Sequence, residues 1–285
     1  MRGGGGLLTT AALPIADADL EGLVRRVRDF ELYAAACWTV RSKSQGVIPF
    51  RPTRGQRIVL RNFKKQWNER GYVRLNVLKC RQAGISTLFR MMCNHYAMTR
   101  PGVTAMSIAH DKALPTEWLI ACETNYDETP RAWRMVQRVP AIGLLLRYAH
   151  QSSYVIGSAQ GGFPAMGHTV QFMHKSELGR WDKPPISLTP EKLTVPMEPA
   201  IPTGADIPGT VIINESTGVQ VGDYWNRTWK DSKNEESEFE RVFIPWFVVE
   251  TYRDDRRAES AGTWTDYELW LKREAERYNV ELTDA

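Results

Sequence analysis

The sequence is poor in cysteine and has no long apolar run. Its four cysteines, Cys37, Cys80, Cys93 and Cys122, are widely spaced without a CxxC pair, which excludes a zinc ribbon and a disulfide framework. No segment approaches the roughly 18 apolar residues that a membrane-spanning helix requires. The first 14 residues contain four glycines and too short an apolar stretch for a signal peptide. We therefore expect a soluble protein of the reducing cytoplasm with a flexible start.

The composition is that of an ordinary globular protein with an uneven distribution of positive charge. The 285 residues are 42% hydrophobic and 25% charged. A chain of this length buries roughly three quarters of its extended surface on folding. The formal net charge is only +4, but one short segment concentrates basic residues: Arg51, Arg54, Arg57, Arg61, Lys64, Lys65, Arg70 and Arg74. This cluster predicts an anionic partner, with a solvated helix face as the alternative.

Hydrophobic periodicity predicts strands that alternate with helices, which indicates a largely parallel α/β sheet. The predicted strands are 73–79, Val103–Ala109, Tyr154–Ser158, Thr169–His174 and Thr210–Asn214. The predicted helices are 17–37, a helix from Pro52-Thr53, Ser86–Met98, segments through Trp118 and from Trp133 to Leu146, and a final helix with a capping-box pattern at Thr265 and Glu268. The proline-rich stretch Pro184–Pro208 predicts an irregular surface excursion.

The stretch VRLNVLKCRQAGISTLFRMMCN, from Val73 to Asn94, predicts a strand, a glycine turn and a helix. This is the setting of a phosphate-binding loop. Aligned on Gly84, the Walker A pattern GxxxxGK[ST] lacks its first glycine and has Ile85 in the place of its lysine. A simple turn from strand to helix is the alternative interpretation.

The physical requirements of a nucleotide site are nevertheless present in this loop. Such a site needs backbone N–H groups around a phosphate, a hydroxyl for Mg²⁺ and a nearby cation. Gly84 and the start of the helix could supply the first, Ser86 with Thr87 the second, and Arg81 or Lys79 the third. The candidate ATP-binding residues in the loop are Lys79, Arg81, Gln82, Ala83, Gly84, Ile85, Ser86 and Thr87.

Two further segments carry polar residues that suit the same site. Gln56 lies at a predicted helix start, and its amide matches the N6 and N7 atoms of adenine; an exposed glutamine is the alternative. Glu177 follows the strand in TVQFMHKSELGRWD and is the candidate for orienting or deprotonating an attacking water. Ser176 stands where many ATPases have aspartate, and its hydroxyl could hold a water of the Mg²⁺ shell. A helix N-cap at Ser176-Glu177 is the alternative.

A third polar segment ends the strand in GTVIINESTGVQVGDYWNRTWKD, from Gly209 to Asp231. Polar groups beside a phosphate loop can sense the γ-phosphate and transmit its presence to a moving element. The candidates are Glu215, Ser216 and Thr217. An N-capped turn between strand and helix is the alternative.

Taken in order, Gln56, KCRQAGIST, SELGRW, NESTG and FIPWF resemble the large terminase subunit of tailed double-stranded DNA bacteriophages and prophages. That protein is the ATPase that drives DNA into an empty capsid. The resemblance covers roughly residues 47–285 and implies a P-loop NTPase fold of the ASCE or RecA-like class, with a largely parallel central sheet flanked by helices. It also implies these roles: Gln56 for adenine contact, Arg81 for phosphate sensing and catalysis, Ser86 for the metal, Glu177 as catalytic carboxylate, and Glu215, Ser216 and Thr217 for coupling. Ser176 stays a metal candidate on its hydroxyl chemistry alone.

The resemblance further implies cofactors, partners and a location. The cofactors are ATP and Mg²⁺, and the partners are double-stranded DNA, the portal protein, the small terminase subunit and copies of this chain in a ring, by resemblance a pentamer. The location is the host cytoplasm, with transient docking on the procapsid portal and no membrane partner. Candidates for contact with DNA phosphates are Arg54, Arg57, Arg61, Lys64 and Lys65, and for completing a neighbour's site Arg131, Arg134 and Arg138.

The family pattern also sets the expected domain organisation. We expect a flexible start and helix at 1–46, the ATPase domain at 47–258, and a helix with the start of a linker at 259–285. Family members continue into an RNase H-like nuclease domain, so we expect the ATPase half alone, without nuclease activity. His168 stands where the family often has arginine. The rival interpretations are a helicase-like ATPase and a non-enzymatic α/β assembly protein.

Overall fold

The computed structural model describes residues 17–42, 45–161, 167, 169–202, 209–234, 236–252 and 265–282. The predicted flexible start before residue 17, His168 and residues 253–264 lie outside these ranges. The helices are α1 (Asp17–Arg28), α2 (Phe30–Cys37), α3 (Arg54–Arg70), α4 (Ile85–Thr99), α5 (Leu114–Glu128), α6 (Pro190–Thr194), α7 (Tyr224–Asp231) and α8 (Asp266–Glu276). The strands are β1 (Thr39–Ser42), β2 (Gly46–Pro49), β3 (Val73–Lys79), β4 (Thr104–Ala109), β5 (Arg138–Ile142), β6 (Leu145–Tyr148), β7 (Ser153–Ser158), β8 (Phe172–Ser176), β9 (Val211–Ser216) and β10 (Glu240–Ile244).

The central sheet has eight strands in the order β10-β3-β9-β8-β4-β7-β6-β5. The strands from β10 to β7 pair in parallel, and β6 and β5 add an antiparallel edge. Strand β9 lies between β3 and β8, so it separates the strand before the predicted phosphate loop from the strand before Glu177. The predicted α/β class with a largely parallel sheet flanked by helices is confirmed.

Local sequence explains where the two helices next to the site begin and end. Thr53 caps α3 in a capping box with Gln56, and Gly71 ends the helix in a left-handed conformation. Helix α4 begins directly after Gly84, which has a φ of 70° and caps the helix without a side chain. The N–H groups at this helix start are therefore not used by a capping side chain.

Three sequence predictions about secondary structure were wrong. The helix predicted over 17–37 is two helices, because Asp29 accepts a hydrogen bond from Leu32 N at 3.0 Å and starts α2. The segment Trp133–Leu146, predicted as helical, contains the hairpin of β5 and β6 after a short 3₁₀ turn at 131–133. Prolines at 130 and 140 and Gly143 with a φ of 58° interrupt a helix there and favour the turn.

The third error concerns the proline-rich stretch Pro184–Pro208. Its residues 190–200 form α6 and a 3₁₀ helix instead of an irregular excursion. Leu193, Met197 and Ile201 are buried in a second core cluster, on which Trp181 and Trp225 also pack. The part of the stretch from 203 to 208 lies outside the described residues.

The strands that carry the polar candidates end later than predicted. Strand β8 runs to Ser176 and β9 to Ser216, so the polar side chains of these strands lie within the sheet instead of after it. The carboxyl ends of β3, β9 and β8 are neighbours, and ligands of parallel α/β sheets bind at such ends. Among the described helices, none is long and apolar enough to cross a bilayer.

Candidate functional site

The segment between β3 and α4 has the backbone shape of an anion-binding loop. Gln82 and Gly84 both have a positive φ, of 59° and 70°, which curls the chain before the helix starts. Successive N–H groups in such a turn, followed by the positive end of a helix, form a concave site for phosphate oxygens. The glycine turn predicted between strand and helix is present, and α4 is a helix of 15 residues with its N-terminus at this turn. Phosphate binding by the loop stays a prediction.

The residue that replaces the usual lysine has no polar role. Ile85 is 1% exposed and belongs to the hydrophobic core, as does Ala83. These two residues can contact a ligand only through their backbone. A buried cation near the loop is Lys79, the last residue of β3, which lies against two carboxylates.

Three other elements hold the loop in position. The Gln56 amide Nε2 of α3 donates to the Gly84 carbonyl at 2.8 Å, while its Oε1 accepts from Thr53 N at 2.9 Å. Cys80 N donates to the carbonyl of Ile244 at the end of β10, at 3.0 Å. The Tyr252 hydroxyl donates to the Arg81 carbonyl at 2.9 Å.

The alternative of an exposed glutamine is wrong, because Gln56 is buried and both polar atoms of its side chain make hydrogen bonds. Each polar atom of its amide already makes one hydrogen bond. A contact with adenine would use the second N–H and the second lone pair of this amide. The adenine contact stays a prediction, and the structure adds a positioning role toward Gly84.

A buried charge cluster lies at the carboxyl ends of β3, β8 and β9. Lys79 Nζ lies 2.6 Å from Glu177 Oε1 and 3.2 Å from Glu215 Oε2. Glu215 is fully buried, and the side chain of Lys79 is 5% exposed. Burial alone lowers the pKa of Lys79, but the carboxylates of Glu215 and Glu177 outweigh it and raise that pKa above its usual range.

The same balance applies to the buried carboxylate. Burial alone raises the pKa of Glu215, but Lys79, His174 and the Ser176 hydroxyl lower it well below its usual range. Lys79 and Glu215 are therefore both charged at neutral pH and form a buried ion pair. Glu177 is a second carboxylate against Lys79, and His174 lies beside Glu215.

Two hydroxyls predicted for the metal meet at this carboxylate. Ser86 Oγ at the start of α4 donates to Glu215 Oε1 at 2.7 Å, and Ser176 Oγ at the end of β8 donates to the same oxygen at 2.6 Å. Ser176 is opposite Glu215 in the parallel pairing of β8 with β9. The structure thus brings Ser86, Ser176 and Glu215 together.

Glu177 has an unusual backbone and a link to the predicted coupling residues. Its φ is 52° and its ψ is 46°, a left-handed conformation that non-glycine residues rarely adopt. Its Oε2 accepts from Thr217 N at 3.3 Å and from Thr217 Oγ1 at 3.1 Å. Its side chain does not cap the 3₁₀ turn that follows, so the helix-cap alternative does not describe it.

Ser216 connects the same two segments through the backbone. Gly179 N, in the turn after Glu177, donates to Ser216 Oγ at 3.0 Å, and Ser216 Oγ donates to the Thr217 carbonyl at 2.8 Å. A Cβ at Gly179 would lie 2.9 Å from Ser216 Oγ, so only glycine fits this approach. The turn after β8 and the end of β9 are therefore linked by hydrogen bonds and packed closely together.

The sequence analysis missed His174. This residue lies on β8 two positions before Ser176, on the same face of the strand, and is fully buried. Its Nε2 lies 3.4 Å from Glu215 Oε1, and its Nδ1 lies 3.1 Å from Ser107 Oγ, which accepts from the Tyr154 hydroxyl. The spacing of two from Ser176 is the only signal in the sequence that could have suggested His174.

The predicted arginine and lysine candidates divide into two groups. Arg54 donates to the carbonyls of Tyr278 and Asn279 after α8, and Lys64 pairs with Glu31 at 2.8 Å. The others, Arg57, Arg61 and Lys65, are exposed at four-residue spacing on α3, and no acidic partner is found for them within the described ranges.

The structure also shows the surroundings of the loop arginine and of the three arginines proposed to complete the site of a neighbouring subunit. Arg81 is exposed at the mouth of the loop. Arg131 is exposed, Arg134 donates to the Thr129 carbonyl at 2.7 Å, and Arg138 pairs with Glu123 at 2.7 Å. The prediction that Arg131, Arg134 and Arg138 lie in one helical segment is wrong, because Arg131 is in a 3₁₀ turn and Arg138 is in β5.

Comparison with known proteins gives a structural match only. No protein-family model matches this sequence, and no curated protein sequence matches it. The crystal structure of the bacteriophage HK97 large terminase matches with a TM-score of 0.59 and 14% identity, over 90% of this chain and 51% of that one. The ATPase domain of the Thermus phage P74-26 large terminase gives 0.41 and 13%, over 72% of this chain and 81% of that one. The chain thus spans about half the length of the HK97 protein, and it shares the α/β fold of that structure.

Proposed function

We propose that this chain is the ATP-hydrolysing motor domain of a phage large terminase, which moves double-stranded DNA through the portal into a procapsid. The observation that carries the proposal is the meeting of an open helix N-terminus, a buried lysine and two carboxylates at the ends of neighbouring parallel strands. A phosphoryl-transfer site needs these groups to position phosphates, metal and water.

Each group has a defined role toward the nucleotide. The N–H groups from Gln82 to Ser86 and the start of α4 would bind phosphate oxygens. Lys79 and the exposed Arg81 would supply positive charge from the start of the loop, in place of the lysine missing at position 85. Magnesium would be held on the side of Ser86 and Ser176, and when bound it would neutralise charge on the phosphates.

Glu177 suits the role of the residue that orients and deprotonates the attacking water. In this structure its Oε1 is paired with Lys79 and its Oε2 accepts from Thr217. Anionic phosphates would compete with Glu177 for Lys79, which would free the carboxylate to accept a proton. Because the other oxygen contacts Thr217, the same change would reach β9 and the turn around Gly179, as expected of a coupling element.

The basic stripe on α3 supports contact with DNA. Arg57, Arg61 and Lys65 present positive charge to solvent and would bind phosphates without reading sequence. The portal protein, the small terminase subunit and further copies of the chain in a ring, a pentamer in this proposal, are the proposed partners. The proposed location is the host cytoplasm and the procapsid portal.

The test is Mg²⁺-dependent phosphate release from ATP, with and without duplex DNA. We expect turnover that rises with DNA of any sequence, and a stimulation that falls steeply between 50 and 200 mM salt, as phosphate contacts do. The variant Arg57→Ala/Arg61→Ala/Lys65→Ala should lose the DNA stimulation and keep ATP binding. Absence of ATP binding by the unmodified chain would refute the proposal.

A further inference from the structure

In the proposed nucleotide site, a carboxylate lies on the strand beside Ser176. Ser176 occupies the position, directly before Glu177, at which a P-loop ATPase carries a carboxylate near its metal. The residue paired with it across the sheet is Glu215 on β9. A carboxylate therefore lies at the same end of the sheet, one strand closer to the phosphate loop.

The hydrogen bonds define what this carboxylate does. A hydroxyl that binds a metal through its lone pair still has a proton to donate, and it is oriented by the group that accepts that proton. Glu215 Oε1 accepts from both Ser86 Oγ, at 2.7 Å, and Ser176 Oγ, at 2.6 Å. Among the described residues neither serine hydroxyl accepts a hydrogen bond, so both lone pairs of each remain available to a ligand.

Unused polar atoms also point to a ligand at this carboxylate. The carboxylates of Glu177 and Glu215 share one ammonium, from Lys79. Glu215 Oε2 accepts no hydrogen bond and has only the Lys79 ion pair, and His174 Nε2, fully buried and 3.4 Å from Oε1, has no hydrogen-bond partner. Buried polar atoms without a hydrogen-bond partner are stabilised by a ligand that binds them.

We infer that Glu215 replaces the missing carboxylate at position 176 and orients Ser86 and Ser176 toward the Mg²⁺ of a bound nucleotide. Glu215 is a positioning residue that acts through the two hydroxyls. This inference rests on the proposed function and assigns to Glu215 a role on the metal side, beyond the coupling role predicted from the sequence.

The test measures how much Mg²⁺ is required for binding of a fluorescent ATP analogue. We expect Glu215→Gln to raise the Mg²⁺ concentration at half-maximal binding about tenfold or more, the usual loss when a group that orients a metal ligand is removed. The variant Glu191→Gln removes a carboxylate that pairs with Arg227 on the surface and should behave as the unmodified chain. An unchanged Mg²⁺ requirement in Glu215→Gln would overturn the inference.

A swap of the carboxylate gives a sharper result. In Ser176→Asp, two carboxylates face each other where Ser176 and Glu215 now lie 2.6 Å apart, so we expect a lower melting temperature. In Ser176→Asp/Glu215→Gln, the one carboxylate of the pair is at position 176 on β8 instead of position 215 on β9. Both the melting temperature and the Mg²⁺ requirement should return toward the values of the unmodified chain. A double variant that binds Mg²⁺-ATP no better than Glu215→Gln would contradict the inference.

A conservative variant covers the case in which Glu215→Gln does not fold. Glu215→Asp keeps the charge beside Lys79 but withdraws the acceptor from the two hydroxyls, so we expect a folded protein with a several-fold higher Mg²⁺ requirement. If Glu215→Asp needs no more Mg²⁺ for half-maximal binding than the unmodified chain does, the inference is again overturned. If the unmodified chain binds no ATP analogue at any Mg²⁺ concentration, the proposed function itself fails, which is a different outcome.

Discussion

Replacing Lys79 by methionine should destabilise the fold much more than replacing any surface lysine. At an effective dielectric constant of about 20, its attraction to Glu215 Oε2 at 3.2 Å amounts to about 5 kcal/mol, before the cost of burying the lysine is subtracted. Removing one partner of a buried pair typically costs about 3–5 kcal/mol, because the other charge stays buried without compensation. We expect Lys79→Met to lower the free energy of unfolding by about that amount at pH 8.

The assay is urea unfolding followed by the fluorescence of the 10 tryptophans. Adding Glu215→Gln to Lys79→Met removes the uncompensated buried charge, so the double variant should be more stable than Lys79→Met. The loss in Lys79→Met should also shrink at pH 5, because a carboxylate without its cation has a raised pKa and takes up a proton there. Lys64→Met, in an exposed pair with Glu31, is the control and should change little.

Two results would refute this reasoning. A loss below about 1 kcal/mol in Lys79→Met would mean that the buried pair contributes no more than a surface pair does. A double variant less stable than Lys79→Met would mean that Glu215 stabilises the fold through its serine contacts more than it costs as a buried charge.

Two further predictions use other parts of the molecule. Burial lowers the pKa of His95 to about 4, whereas a histidine in the unfolded chain has a pKa of about 6.5. Below pH 6.5 the unfolded chain therefore binds more protons than the folded chain, and the free energy of unfolding should fall by roughly 2 kcal/mol between pH 7.5 and pH 5. In His95→Phe, urea unfolding should show a pH dependence smaller by that amount, and an equal dependence would contradict the assignment. Gly84→Ala should lower the free energy of unfolding by about 1–2 kcal/mol and weaken ATP binding, because φ is 70° and the new Cβ would lie 2.9 Å from Gln56 Nε2. An unchanged melting temperature together with unchanged ATP binding in calorimetry would show that the loop is not held in this shape.

The sequence was informative where a local pattern determines the structure. The strand before the loop, the turn at Gly84 and the helix after it are contiguous, so periodicity and one glycine suffice to predict them. The capping box predicted at Thr265 was equally local, and it is present. The alternation of strands and helices gave the parallel sheet, because βαβ units leave that signature.

The rest depends on contacts that a single sequence does not display. The hairpin of β5 and β6 was predicted as helix because a short apolar run suits either structure. The meeting of Ser86, Ser176, His174 and Glu215 depends on the order and register of β3, β9 and β8, and residues 129 positions apart in sequence share one hydrogen bond there. Burial of Leu193, Met197 and Ile201 likewise depends on the core that they form with Trp181 and Trp225.

The central claim is that Glu177 activates the water in an ATP site built on this loop. The direct measurement is ATP binding and Mg²⁺-dependent phosphate release by the unmodified chain, by Glu177→Gln and by Arg81→Ala, with Glu191→Gln as control. The account predicts that Glu177→Gln binds ATP and loses turnover by at least about 100-fold, and that Arg81→Ala also loses turnover while the control keeps it. Turnover by Glu177→Gln at the unmodified rate would contradict the account.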